Sequence, residues 1–286
     1  MALTIDRTRR TLLALAAMAM LTPVGAAASE VENPMQPSET WEALRHDIVG
    51  EREIRDGSAL FTLDAPYRAH DAAIVPVDIR ALPGTDARVV RLTLVVDENP
   101  APVAAEFEIG PAMGALDLST RVRVNAYSNI RAIAETEDGA LYMVGRYVKA
   151  SGGCSAPALK DADAAIAALG QMKLRLFDQI AAEAASAAPM SGARHEAQVM
   201  VRHPNYSGLQ MNQVTRLYIP AHFIDTLEVK QGEELVFRMT AGISISEDPA
   251  FRFTYTDNGS GVFHVHATDT EGSVFDRSLP ITGGAT

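Results

Sequence analysis

The sequence predicts a mainly β protein made of two immunoglobulin-like β-sandwich domains, with a short helix after a cysteine-bearing loop. Three observations lead there. Short alternating runs separated by Gly, Pro, Asn or Asp clusters recur in both halves of the chain, and long helical periods are missing between them. An alanine- and serine-rich stretch at 178–193 divides the two sets of runs and reads as a linker. With 286 residues, 47% of them hydrophobic, the chain is long enough for two modest cores.

The first 28 residues read as an export signal. Arg7, Arg9 and Arg10 precede an apolar stretch from Leu12 to Leu21, and Pro23 leads to the small residues Gly25 to Ala28. That stretch is too short to span a bilayer stably. Arg9-Arg10 before Leu12-Leu13 resembles a twin-arginine signal, and a general export signal fits as well. Periplasmic localisation follows, with no membrane attachment of the mature form.

The first domain is expected over 29–177. It opens on a helix from Trp41 to Ile48 capped by Thr40, with Trp41, Leu44 and Ile48 on one face. Strands follow at Leu60–Leu63, Val75–Ile79, Val89–Val96, Ala104–Ile109, Thr120–Asn125 and Tyr142–Val148. An alanine-rich helix from Asp161 to Leu169 ends at Gly170, and a strand runs from Met172 to Leu176. The second domain, 194–286, starts with a strand at Glu196–His203. Further strands are expected at Thr215–Ile219, Phe223–Lys230, Glu234–Met239, Phe251–Tyr255, Gly261–Ala267 and near Val274-Phe275. Gln231-Gly232 and Asp257-Asn258-Gly259 are expected as hairpin turns.

The formal net charge is −11, and removal of residues 1–28 makes the remainder more acidic by two charges. Such a surface excludes nucleic acid and anionic lipid as electrostatic partners. Phosphate-binding glycine loops and serine-nucleophile elbows are absent from the sequence. His264 and His266 alternate on one strand face without a third ligand nearby, so they read as a solvated face and no metal is expected. Asp97-Glu98-Asn99-Pro100 reads as a turn, and His203 and His222 as turn or interface packing. Asn205-Tyr206-Ser207 and Asn258-Gly259-Ser260 match glycosylation acceptors without further support.

Cys154 is the only cysteine, in Ser151-Gly152-Gly153-Cys154-Ser155-Ala156-Pro157. An exported chain with one cysteine forms no internal disulfide, so the thiol is buried and inert, paired with another molecule, or kept for chemistry. Gly152 and Gly153 are expected to leave it on a mobile, reachable bend, supported by Ser155. Arg146, Lys149 and Lys160 lie near in sequence and would favour the thiolate; Asp161 and Asp163 would oppose it. A helix beginning near Ala158 would place Cys154 close to its positive end and lower its pKa.

Tyr147 to Cys154 after a run of strands resembles the end of SoxY, and Ala65-Pro66 with Ala69 to Val77 resembles that family's early strand. Val201-Arg202-His203-Pro204, Gly208, Tyr218 to Ile224 and Ile243 to Phe253 are similar to SoxZ. Joined in this order, with an internal cysteine, they resemble SoxYZ-like carriers associated with quinoprotein dehydrogenases. The resemblance implies two packed immunoglobulin-like sandwiches, SoxY-like and SoxZ-like, paired within one chain. It implies a periplasmic carrier for thiosulfate or sulfur oxidation, not itself an enzyme, with no cofactor and with a sulfur intermediate held covalently on Cys154. Its partners would be sulfur-oxidising enzymes or a quinoprotein dehydrogenase. The other reading is a binding or accessory module for such a dehydrogenase, with an idle thiol. The SoxY arm ends just past its cysteine, whereas here Ser155-Ala156-Pro157 and the whole second half follow, so the thiol is tethered at both ends.

Overall fold

The computed structural model describes residues 32–85, 87–157, 162–177 and 194–281. The expected signal at 1–28 and linker at 178–193 lie outside the described residues. Among the described residues no helix is long and apolar enough to cross a membrane.

Two sheets give the β-sandwich architecture that the alternating sequence predicts, and the two expected sandwich domains share them. In chain order the first half contributes α1 (Glu39–Val49), β1 (Ile54–Asp56), β2 (Phe61–Asp64), β3 (Val75–Ala81), β4 (Val89–Val96), β5 (Val103–Ile109), β6 (Asp117–Val122), β7 (Ser128–Thr136), β8 (Leu141–Val148), α2 (Ala162–Ala167) and β9 (Met172–Leu176). The second half adds β10 (Arg194–Val201), β11 (Ile224–Gln231), β12 (Glu234–Ala241), β13 (Ala250–Thr256), β14 (Val262–Asp269) and β15 (Val274–Pro280). One sheet has nine strands in the order β1-β8-β7-β4-β5-β12-β11-β14-β15, the other six in the order β2-β3-β6-β13-β10-β9.

Both sheets run unbroken from one half into the other. β5 pairs antiparallel with β12, Phe107 opposite Met239 and Ile109 opposite Phe237. β6 pairs with β13 through Ser119 opposite Arg252 and Leu118 opposite Phe253. Phe107 packs edge-on against Phe237 and Phe251 at ring-centroid distances of 6.1 and 6.2 Å. A single buried apolar cluster accordingly includes residues of both halves, from Phe61 to Ile281. Gly110 makes the seam possible: a Cβ there would run into the Leu235 backbone, and its N–H donates to the Val236 carbonyl at 2.9 Å.

Several expectations need correction. The cap of α1 is Ser38, whose side chain accepts from the Trp41 N–H; Thr40 is already helical and donates its hydroxyl to Glu98. β6 lies three residues earlier than expected, at Asp117–Val122. β7 has no sequence counterpart above. It lies between β8 and β4 and is buried along nearly its whole length, so it lacks the polar alternation that marks a half-exposed strand. Thr215–Ile219 is no strand: Asn212 Oδ1 accepts from the N–H groups of Val214 and Thr215, Arg216 has φ 60, and Leu217 and Tyr218 stand exposed. The Asp257-Asn258-Gly259 turn closes no hairpin but carries the chain from β13 in one sheet to β14 in the other. Gly170 does end the alanine-rich segment, with φ 71 and its N–H on the Arg202 carbonyl.

Candidate functional site

Beyond β8 the chain returns toward the end of β6. The N–H of Gly152 donates to Asn125 O at 2.8 Å, and that of Gly153 to Val124 O at 3.0 Å. This descending register brings Cys154 near Arg123, close enough for the two side chains to act on each other electrostatically. Gly152 takes φ 78 with open space around its missing Cβ, whereas a Cβ on Gly153 would strike the carbonyls of Ala72 and Val124. The first glycine is needed for conformation and the second for close approach. Ser155 turns the loop by donating its N–H to Gly152 O at 3.2 Å.

The second half clasps this loop. The Ser207 hydroxyl donates to the Cys154 carbonyl, and Gln210 Nε2 to the Ala156 carbonyl at 2.9 Å. Gln210 Oε1 accepts from the Ser207 N–H at 3.1 Å, so the two clasping side chains brace each other.

These contacts overturn the expectation of a reachable thiol on a mobile bend. Ser151, Ser155 and Pro157 are exposed, but Cys154 is 0% exposed and turned inward beneath them. Burial pushes its thiol up to about 11, with the Arg123 guanidinium pulling the other way. Of the three sequence neighbours expected to favour the thiolate, the two that are described are engaged elsewhere: Lys149 lies over the Tyr67 ring at 4.8 Å, and Arg146 donates to the Gly145 carbonyl. Lys160, Asp161 and the start of a helix near Ala158 lie outside the described residues, as does the side chain of Asp163; α2 begins at Ala162.

Arg123 is 1% exposed and had no place in the sequence reading. Its Nη2 donates to the Asn205 carbonyl at 2.9 Å, while its Nε has no hydrogen-bond partner. Burial lowers its pKa; the Cys154 thiolate is the strongest influence in the other direction, ahead of Glu247 and Asp71.

Asn205 connects this site to a second cluster. It sits at φ 43, a left-handed conformation that Asn tolerates. Its Oδ1 accepts from Ile224 N–H at 3.1 Å, its Nδ2 donates to Ser246 O at 3.1 Å, and its N–H donates to His203 Nδ1 at 3.0 Å. Fully buried, it offers no glycan acceptor. His203, His222 and Asp269, far apart in sequence, have ring nitrogen and carboxylate atoms within 4.8 Å of one another. His222 Nε2 stands 2.8 Å and His203 Nε2 3.5 Å from Asp269 Oδ2. Because Asn205 donates to His203 Nδ1, the neutral ring carries its proton on Nε2, which faces Asp269 across 3.5 Å without a hydrogen-bond partner. Burial, then the neighbouring His222, lowers His203 to about 4. Burial opposes ionisation of Asp269, but the hydrogen bond from His222 and those from Ser273 and Glu271 hold its carboxyl down to about 2.

His264 and His266 lie on the β14 face expected for them, bonded to Ser278 Oγ at 3.0 Å and Asp276 Oδ1 at 2.7 Å. Asp97, in the expected turn, is fully buried and paired with Arg131 through two 2.8 Å contacts. Arg131 also lies over the Trp41 ring at 4.4 Å, fastening α1 to the sandwich.

Comparison with known proteins bears on the same residues. The family model for sulfur oxidation protein SoxY matches 45–154, ending on Cys154, and that for sulphur oxidation protein SoxZ matches 184–280. Among solved structures, the sulfur carrier protein SoxY from Chlorobium limicola f thiosulfatophilum is 25% identical, covering 38% of this chain and 89% of that one at a TM-score of 0.32. A superoxide reductase (neelaredoxin) from Ignicoccus hospitalis is 12% identical over 38% of this chain and 89% of its own, at a TM-score of 0.28. No curated protein matches the chain. The two family models together cover well over half of the sequence, and the chain belongs to the SoxY and SoxZ families, joined as a SoxYZ-like fusion.

Proposed function

We propose that this protein is a sulfur carrier of an exported sulfur-oxidising system, holding a sulfur intermediate covalently on Cys154 and catalysing no turnover itself. The observation that supports this reading most is that the SoxY match ends on the chain's one cysteine, which the fold places at the meeting point of both halves. In loading, the thiol of Cys154 forms an S–S bond to thiosulfate, its proton leaves, and two electrons pass to a redox-active partner enzyme. Gly152, Gly153 and Ser155 shape the loop that must open for this. The buried thiol represents the closed form, because a thiol at about 11 is almost wholly protonated at neutral pH and meets no solvent. Export to the periplasm by residues 1–28 belongs to the same reading, and N-terminal sequencing of protein from the periplasmic fraction tests it.

The burial of Cys154 also favours a second reading, an accessory module for a quinoprotein dehydrogenase in which the cysteine only packs. Tetrathionate separates the two without an added oxidant: a thiolate attacks an inner sulfur, forms Cys–S–S–SO3−, and releases thiosulfate. Intact-mass measurement of native protein should show one such adduct, removed by dithiothreitol and missing in Cys154→Ser. Unmodified native protein, with labelling only after denaturation, favours the accessory reading.

A further inference from the structure

Arg123 poses an electrostatic problem. Its guanidinium is buried, its Nε is unpartnered, and no carboxylate lies within ion-pair distance of it among the described residues. A buried charge without a counter-ion typically costs several kcal/mol. Its backbone allows no escape, since its N–H donates to Ser244 O at 2.7 Å and its carbonyl accepts from Asn99 Nδ2 at 2.7 Å. The ionisable group that acts on it most strongly is the nearby Cys154.

We propose that Arg123 is the counter-ion of an anionic sulfur group carried on Cys154, so that the site selects cargo ending in a sulfonate or a persulfide over neutral cargo. This rests on the carrier reading above and adds its specificity. A bare, protonated Cys154 leaves the guanidinium with only the carboxylates of Glu247 and Asp71, both beyond ion-pair distance. An adduct such as Cys–S–S–SO3− supplies a negative charge and acceptor oxygens to the unpartnered Nε of Arg123. The loaded carrier is then the electrostatically satisfied one. Because the loop is tightly packed around Gly153, cargo enters by loop opening, and Arg123 acts on how firmly the loop closes afterwards.

The test compares two adducts on the intact protein: the anionic one made with tetrathionate and the neutral Cys–S–S–CH3 made with methyl methanethiosulfonate. In the native protein the anionic form should melt several degrees higher and release its adduct to dithiothreitol about tenfold more slowly, the coupling expected for a close pair. Arg123→Gln should abolish both differences, and Arg123→Lys should keep part of them, while a merely structural role would shift both adducts equally. Equal differences in native protein and Arg123→Gln overturn the proposal and leave the carrier reading intact. Should Arg123→Gln fail to fold, the native protein decides alone, because an anionic form less stable than the neutral one has no counter-ion. If methyl methanethiosulfonate labels native Cys154 and tetrathionate does not, the carrier reading falls and this inference with it.

Discussion

The Ser207 hydroxyl, from the second half of the chain, donates to the carbonyl oxygen of Cys154 in the first. With Gln210 on Ala156 it forms a latch across the two halves. Each such hydrogen bond contributes about 1 kcal/mol, a factor of about five in an opening equilibrium. Iodoacetamide should therefore alkylate Cys154 about fivefold faster in Ser207→Ala, and faster still when Gln210→Ala is added. An unchanged rate would mean that the loop opens without releasing this clasp.

The two glycines of the loop should respond differently. Gly153→Ala forces a methyl group into the Ala72 and Val124 carbonyls, an overpacking cost of about 1–3 kcal/mol. Gly152→Ala meets open space and bears only the left-handed conformation, about 1–2 kcal/mol. Denaturant titration should rank Gly153→Ala as the less stable variant. The reverse order would count against the close approach described here.

The buried His203 makes the fold acid-sensitive. Its pKa is about 4 in the folded state against 6.5 for the free side chain, so the unfolded chain takes up the proton first as pH falls. Stability is full above 6.5 and declines by roughly 3 kcal/mol toward pH 4. Asp269, held at about 2 against 3.8, adds a further loss below 3.8. Urea unfolding at pH 7, 5.5 and 4.5 should show this slope, and His203→Gln should flatten it. A native protein equally stable at pH 7 and 4.5 would contradict the assignment.

The seam between halves carries much of the stability. Phe107→Ala removes a ring that touches Phe237 and Phe251 and should cost about 3–5 kcal/mol. Because both sheets and the main core cross the seam, calorimetry should record one transition for the pair of halves, shifted as a whole. Two separated transitions would show that the halves unfold independently.

The sequence made the half-exposed strands readable, because residues such as Val75, Val77 and Ile79 alternate with polar neighbours and the structure buries them on one face. β7 escaped because Ile130, Ala132, Ile133 and Ala134 are all buried, and continuous burial erases the alternation. Thr215–Ile219 misled in the opposite sense, alternating on an exposed loop. Cys154 and its glycines were legible from their rarity and from the SoxY resemblance. The inward turn of the thiol was not, since it depends on Ser207 and Gln210, more than fifty residues away. Arg123 could have been noticed only through the register that brings it near Cys154, and His203, His222 and Asp269 meet only once β11 and β14 pair.

The unbroken sheets carry a consequence for assembly. β5 and β6 would each present a bare row of amide and carbonyl groups if β12 and β13 were missing, and such open edges invite aggregation. Supplying both partners on one polypeptide fixes their ratio at one to one, keeps each within reach of the other at any dilution, and gives neither half a solitary existence in which its edges lie open.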